Sequence, residues 1–352
     1  MFGKKKKKKA APLTKQVESE YILDVKDLVV HYELENETVE AVNGISFQVK
    51  KGETIGLVGE TGAGKTSTAL AILNMIPNPP GVIKSGKILV DGYDVLNMSD
   101  LELEVVRGKD ISMIFQDPMT SLNPVMTVGD QIAESILLHE DLSYSKAYER
   151  AKEMLEMVGI PGVRAAEYPH QFSGGMKQRV VIAIALSCNP KCLLADEPTT
   201  ALDVTIQAQV LDMMNDLKTK FGTSLVMITH DLGVIASICD TVAVMYAGKI
   251  VEYGTLEDIF NNTLHPYTEG LFNSLPSSAK GGKLKPIPGL MPNPTDLPEG
   301  CAFQERCKYA TEACKCKLTE PYRVSDTHTV LCAAYADPDF CLDMRKGGDI
   351  DE

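Results

Sequence analysis

The chain has 352 residues, 44% of them hydrophobic and 24% charged, and a formal net charge of -13. That length carries one large domain and a smaller appendage with a core that needs no covalent staples. The acidic balance excludes nucleic acid as the expected partner, and the longest apolar run, VVIAIAL at 180–186, is far short of the roughly 18 residues of a membrane span.

The N-terminus, MFGKKKKKKA, places a lysine block, Lys4 to Lys9, ahead of no apolar core, so it fails as a secretory leader and a cytoplasmic protein is expected. Residues 1–20 read as a basic disordered tail. Its sharper reading is attraction to an anionic membrane surface, worth on the order of 1 kcal/mol per lysine. From Tyr21 to about Val58, apolar and polar residues alternate, as in short strands joined by turns. After Gly64 the apolar positions Leu70, Ile72, Leu73 and Ile76 take helical spacing and run into Pro77, which predicts the helix end.

Residues 77–100 carry Pro, Gly, Asn and Asp around short apolar runs such as KILVDG, which predicts a loop and a hairpin. Val128 to Ile160 is rich in Ala, Glu, Leu, Met and Lys and predicts a helical insert. From Lys191 the runs CLLAD, SLVMITH and TVAVMY, separated by helix-like stretches, read as buried parallel strands with crossovers. The fold class is therefore α/β. Past Leu275 the composition shifts to PSSAKGGKLKPIPGLMPNPTDLPEG, a linker signal, and the stretch CAFQERCKYATEACKCK at 301–317 then concentrates four cysteines.

GETGAGKT at 59–66 fits the Walker A pattern G-x-x-x-x-G-K-[ST], and it follows the strand-like TIGLV and precedes a helix, the context that the pattern requires. Gly59, Gly62 and Gly64 let the backbone curl so that successive N–H groups point at phosphate oxygens, with the helix N-terminus behind them. Lys65 supplies a charge to the outer phosphates and the Thr66 hydroxyl a ligand to Mg²⁺. CLLADEP at 192–198 ends a hydrophobic strand with Asp196, a candidate Mg²⁺ ligand, and Glu197, a candidate general base for water. His230 closes SLVMITHD, again at the carboxyl end of a strand, where open α/β sheets bind ligands. It is a candidate γ-phosphate contact.

Those pieces describe many nucleotidases, and FSGGMKQR at 172–179 narrows them. It resembles the signature sequence of ATP-binding cassette (ABC) proteins, usually LSGGQ, with Phe172 and Met176 as departures. Ser173, Gly174 and Gly175, opening a helix, form a second anion site, which suggests two chains completing each other's sites. The resemblance covers about residues 22–272. It implies an antiparallel β subdomain, a helical subdomain at about 117–180 and a nucleotide-binding domain over 21–272. ATP would meet Tyr32, which matches the adenine-stacking aromatic, and the loop Gly59, Glu60, Thr61, Gly62, Ala63, Gly64, Lys65, Thr66 and Ser67. Gln116 matches the glutamine loop that touches Mg²⁺ and water, Asp203 the loop that crosses the dimer interface, and Ser173 to Met176 the element acting on the partner's ATP. Mg²⁺ would be held by Thr66, Gln116 and Asp196, and catalysis carried by Glu197, His230 and Gln116.

QDPMTSLNP, FSGGMKQRV, DEPTTALDVTIQAQ and LHPYTEGLFNSLP are similar to the ATPase subunits of bacterial oligopeptide and dipeptide importers, a group that includes nickel importers. The resemblance implies a peripheral subunit on the cytoplasmic face of the plasma membrane. Its partners would be a second, paralogous ATPase, two transmembrane permeases and, indirectly, an extracellular binding protein. Peptide against nickel rests on likeness alone, and a soluble cassette protein of translation or DNA repair is the rival reading. The cysteines after a linker at 273–300 resemble that group's C-terminal extension, expected as a small cysteine-rich module over 301–341. Clustered cysteines in a reducing compartment read as metal ligands, and Cys301, Cys307, Cys314 and Cys332 match the family's four positions. They suit a [4Fe-4S] cluster, with zinc or an unmetallated thiol module as the alternatives. Cys316, two residues past Cys314, leaves the third ligand open between them. Cys188, Cys192 and Cys239 sit in apolar stretches and are expected as buried small hydrophobes.

Overall fold

The structure, a computed structural model, describes residues 15, 18–200, 202–275, 286–316, 320–337 and 339–342, and at 118 and 119 the backbone alone. The lysine block Lys4 to Lys9 and the centre of the expected linker, 276–285, lie outside the described residues.

Strands β1 (Tyr21–Glu33) and β2 (Thr38–Lys50) pair antiparallel. β3 (Thr54–Val58) is buried throughout and leads through the glycine loop into α1 (Lys65–Ile72). The helix stops ahead of Pro77 because Asn74 turns into the left-handed region at φ 50, a conformation that asparagine tolerates at helix ends. β4 (Gly81–Val90) and β5 (Tyr93–Asp94) form the expected hairpin around Asp91 and Gly92, both at positive φ. β4 begins earlier than KILVDG suggests, because it pairs with β1 back to Gly81.

Ser99 caps α2 (Asp100–Val106) in a reciprocal arrangement with Glu102. β6 (Ile111–Ile114) and α3 (Pro118–Ser121) precede the expected helical insert, which folds as α4 (Val128–His139) and α5 (Tyr144–Met157) and packs on α6 (Gly174–Leu186). Then come β7 (Cys192–Asp196), α7 (Val204–Phe221), β8 (Ser224–Thr229), α8 (Leu232–Ile238), β9 (Thr241–Tyr246), β10 (Lys249–Thr255), α9 (Leu256–Asn261) and α10 (Pro266–Asn273). β11 (Tyr322–Arg323) and β12 (Thr329–Val330) follow.

The strands make two sheets, β2-β1-β4-β5 and β11-β12-β10-β9-β3-β8-β7-β6. In the larger one β9, β3, β8, β7 and β6 run parallel, as the three hydrophobic runs predict. Side chains alternate across a strand, so this sheet divides two cores. Leu193, Leu225 and Met227 face the helices α4, α5 and α6, whereas Leu194, Val226 and Ile228 face α1 and the antiparallel sheet. Among the described residues no helix is long and apolar enough to cross a membrane.

The segment expected as a small cysteine-rich module is joined to the main sheet. β12 pairs with β10 through Glu252 and Val330, so the C-terminal chain extends the main sheet, and Phe303 is buried in the main core. The pairing is locked by the buried Glu252 carboxylate, which accepts from the Leu264 and His265 N–H groups and from His328 Nε2 at 2.7, 2.9 and 2.9 Å. A buried carboxylate saturated with donors holds its neighbours in one register. The segment is thus part of the cassette.

Candidate functional site

The parallel strands deliver their carboxyl ends to one edge, and the motifs gather there. Val58 opens the loop Gly59–Gly64. A Cβ on Gly59 would stand 2.2 Å from the Met245 carbonyl oxygen, and one on Gly64, at φ 100, 2.3 Å from that of Ala41. Both contacts are with backbone, which cannot swing away. Gly64→Ala should therefore destabilise the protein by about 1–3 kcal/mol and abolish ATP binding. A melting curve and a binding titration check this, and wild-type values in both would show that the loop does not need this conformation.

Lys65 is 6% exposed and donates from Nζ to the carbonyls of Gly59 at 2.7 Å and Glu60 at 3.0 Å, so it spans its own loop. Burial pushes its pKa down, against the carboxylates of Glu197, Asp196 and Glu60, which hold it up. Burial likewise raises the pKa of Asp196, helped by Glu197 and opposed by the Thr66 hydroxyl and by Lys65. Thr66 and Asp196, two of the three expected Mg²⁺ ligands, thus stand together, whereas the third, Gln116, turns its amide to Glu197.

Glu197 occupies the left-handed region at φ 46, a conformation that costs a non-glycine residue about 1–3 kcal/mol. Its N–H donates to the Ile228 carbonyl at 2.8 Å, which ties the bend to β8. The carboxylate meets His230 Nδ1 at 3.0 Å on one oxygen, and on the other accepts from Gln116 Nε2 at 3.0 Å and the Thr200 hydroxyl at 2.9 Å. Burial is the largest single influence and would raise its pKa. His230, Thr200 and Lys65 together outweigh it and hold the carboxyl below its usual range. The three expected catalytic residues, from three different segments, therefore form one hydrogen-bonded set.

Tyr32, near the end of β1, meets Ser67 of α1 through its hydroxyl at 3.1 Å. Ala63 is fully buried and Thr61 exposed. The signature residues lie elsewhere. Ser173 caps α6 by accepting from the Met176 N–H at 3.4 Å, Gly174 is exposed and Gly175 half-buried, and Met176 Sδ receives Arg164 Nη1 at 3.4 Å. Ser173 to Met176 and Asp203 line one surface groove that shares no residue with the phosphate loop. Within one chain this groove and the loop Gly59–Gly64 are separate surfaces.

Cys301, Cys307, Cys314 and Cys332 line a single small pocket, whereas Cys316 is exposed and Cys341 half-buried. Burial pushes the thiols of Cys307 and Cys332 up to about 11 and about 12 and raises that of Cys301. His265 lines the same pocket, fully buried, with its pKa lowered by burial to about 3. Its Nδ1 accepts the Tyr267 N–H at 3.0 Å, which leaves the proton on Nε2, and Nε2 has no partner. Among the described residues no group of three or more His, Cys, Asp and Glu is arranged to hold a metal ion. Cys192 and Cys239 are buried as expected, and Cys188 is half-buried against Ser135 and Ser187.

Sequence reasoning missed four residues at this edge. Thr200 braces Glu197 three positions on, a local spacing that could have flagged it. Tyr267, Met291 and Arg306 reach the phosphate loop from far along the chain, and no local pattern marks them.

A family model described as ABC transporter matches residues 42–200, and one described as oligopeptide/dipeptide transporter, C-terminal region, matches residues 251–314. The chain is 52% identical to the oligopeptide transport ATP-binding protein OppD of Bacillus subtilis, over 88% of this chain and 87% of that one. It is 48% identical to the dipeptide transport ATP-binding protein DppD of the same organism, over 89% and 94%. Against OppD of Salmonella typhimurium the identity is 49%, over 83% and 88%. Among solved structures it is similar to the ATP-binding cassette MJ0796 in a dimeric post-hydrolysis state bound to ADP and Pi, with a TM-score of 0.61 and 26% identity over 66% of this chain and 98% of that one.

Proposed function

Because the chain belongs to the ATP-binding cassette family, among the oligopeptide and dipeptide transport ATP-binding proteins, and is an ATPase coupled to transport, we propose that it powers uptake of di- and oligopeptides through two membrane-embedded permease subunits. The carrying observation is the likeness along nearly the whole chain, C-terminal region included, to peptide transport ATP-binding proteins. The subunit would sit at the cytoplasmic face of the membrane, held there by its permeases. Purification with its permease subunits should yield a complex whose ATP turnover rises with peptide-loaded binding protein. A complex stimulated by nickel and not by peptide, or an ATPase with no membrane partner, would sink the reading.

In the proposed cycle, Tyr32 stacks on adenine and the loop Gly59–Ser67 surrounds the phosphates, with Lys65 on the outer ones. Bound Mg²⁺ would neutralise charge on the outer phosphates. Thr66 and Asp196 are the residues to hold it, with Gln116 completing the set. Glu197 orients and polarises the attacking water, His230 holds Glu197 and meets the γ-phosphate, and Gln116 senses the same carboxylate. Ser173 to Met176 and Asp203, on their separate groove, would face the ATP of a second, paralogous ATPase. Closure of that pair would move the permeases.

We also propose that the cysteine pocket takes a [4Fe-4S] cluster through Cys301, Cys307, Cys314 and Cys332. Four thiols around one pocket, with the orphaned His265 N–H beside them, fit such a group, since cluster sulfurs accept hydrogen bonds. Protein prepared without air should carry iron and sulfide, both lost in Cys314→Ser and retained in Cys316→Ser. A colourless, metal-free wild type would end the proposal, and zinc without sulfide would replace it.

A further inference from the structure

The C-terminal chain does more than extend the sheet, because it touches the phosphate loop at successive points. The Glu40 N–H donates to the Pro294 carbonyl at 2.8 Å, next to Ala41, whose own carbonyl abuts Gly64. A Cβ on Gly62 would fall 2.8 Å from the Met291 methyl, so that methyl covers the loop. The Glu60 N–H donates to the Tyr267 hydroxyl at 2.8 Å. The strongest contact is Arg306, 7% exposed, which grips Glu60 with both arms: Nη1 to Oε2 at 2.9 Å and Nη2 to Oε1 at 3.0 Å.

Arg306 is itself fixed from behind. Its Nε donates to the Pro288 carbonyl at 2.8 Å and its Nη1 to the Tyr246 hydroxyl at 3.2 Å, and its guanidinium lies 5.8 Å from the ring centroids of Tyr246 and Phe303. A forked, charge-assisted pair constrains both position and orientation of its partner. Glu60 is the residue after Gly59, in the turn whose two carbonyls Lys65 binds. The loop is therefore clamped from inside by Lys65 and from outside by Arg306.

We propose that Arg306 is a positioning residue for ATP binding: it sets the first turn of the phosphate loop through Glu60 and joins that loop to the cysteine pocket, since Cys307 is its chain neighbour. Its effect passes through Glu60. The proposal rests on the reading of residues 59–66 as the ATP site, which Lys65→Ala tests separately.

The test is a set of variants in the full chain, read by ATP titration and turnover. Arg306→Ala should raise KM for ATP and the binding Kd roughly ten-fold, the factor of one charge-assisted interaction, with kcat at saturating ATP within about two-fold of wild type. Arg306→Lys should recover part of the affinity, because lysine keeps the charge and loses the fork. Glu60→Gln should weaken binding in the same direction, and the double variant should be no worse than the poorer single. Unchanged KM and Kd in folded Arg306→Ala, or singles whose effects simply multiply, would overturn the proposal. If Arg306→Ala does not fold, Glu60→Gln decides, and wild-type affinity there overturns it equally.

Discussion

Glu197→Gln is expected to lower kcat for ATP hydrolysis by about 10²–10⁴-fold, the usual contribution of a positioned general base, while ATP still binds. The amide has the size of the carboxylate, and its oxygen can still accept from Thr200 and Gln116 where the carboxylate does at 2.9 and 3.0 Å. What it loses is the ability to take a proton and to attract the His230 side of the site. The variant should also keep its fold, because the strained backbone at φ 46 is anchored by an N–H to Ile228 that the substitution leaves in place. Single-turnover hydrolysis beside equilibrium ATP binding makes the measurement. Turnover within two-fold of wild type would remove Glu197 from the reaction and leave its network a structural one.

Lys65→Ala should weaken ATP binding about 10- to 100-fold, the loss of an ion-assisted interaction worth roughly 1.5–3 kcal/mol, and turnover should fall with it. Two effects act together. The outer phosphates lose their cation, and the carbonyls of Gly59 and Glu60 lose the ammonium that spans them at 2.7 and 3.0 Å. Asp196 and Glu197 are then left side by side without the charge that offsets their repulsion, so Mg²⁺ should compensate part of the loss. Calorimetric titration with and without Mg²⁺ reads both effects. An unchanged affinity would sink the phosphate-cradle reading, and the positioning role of Arg306 with it.

The parallel strands were legible because each carries its burial in its own residues, CLLAD, SLVMIT and TVAVMY being almost wholly buried. The paired helices α4 and α5 were legible from propensity alone. The end of α1 was not, because it is set by the backbone of Asn74 and not by the proline that looks like the stop. Within the site, the proposed roles of Lys65, Asp196, Glu197 and His230 come from strand ends and spacing. Gln116 became a candidate only through the resemblance, and its contact with Glu197, 81 positions away, came from the tertiary structure and not from any local pattern.

The sequence by itself determined the family, the α/β core and the phosphate loop, because a loop of contiguous residues writes its backbone geometry into its own glycines. Only the tertiary structure decided which cysteine of the close pair, Cys314 or Cys316, turns into the pocket, that β12 closes onto β10, and that Arg306 holds Glu60 across 246 positions. The reason is physical: an arginine beside a cysteine carries no local sign of its partner. Such a contact exists only once the sheet and the buried Glu252–His328 pair have brought the two ends of the chain to the same edge.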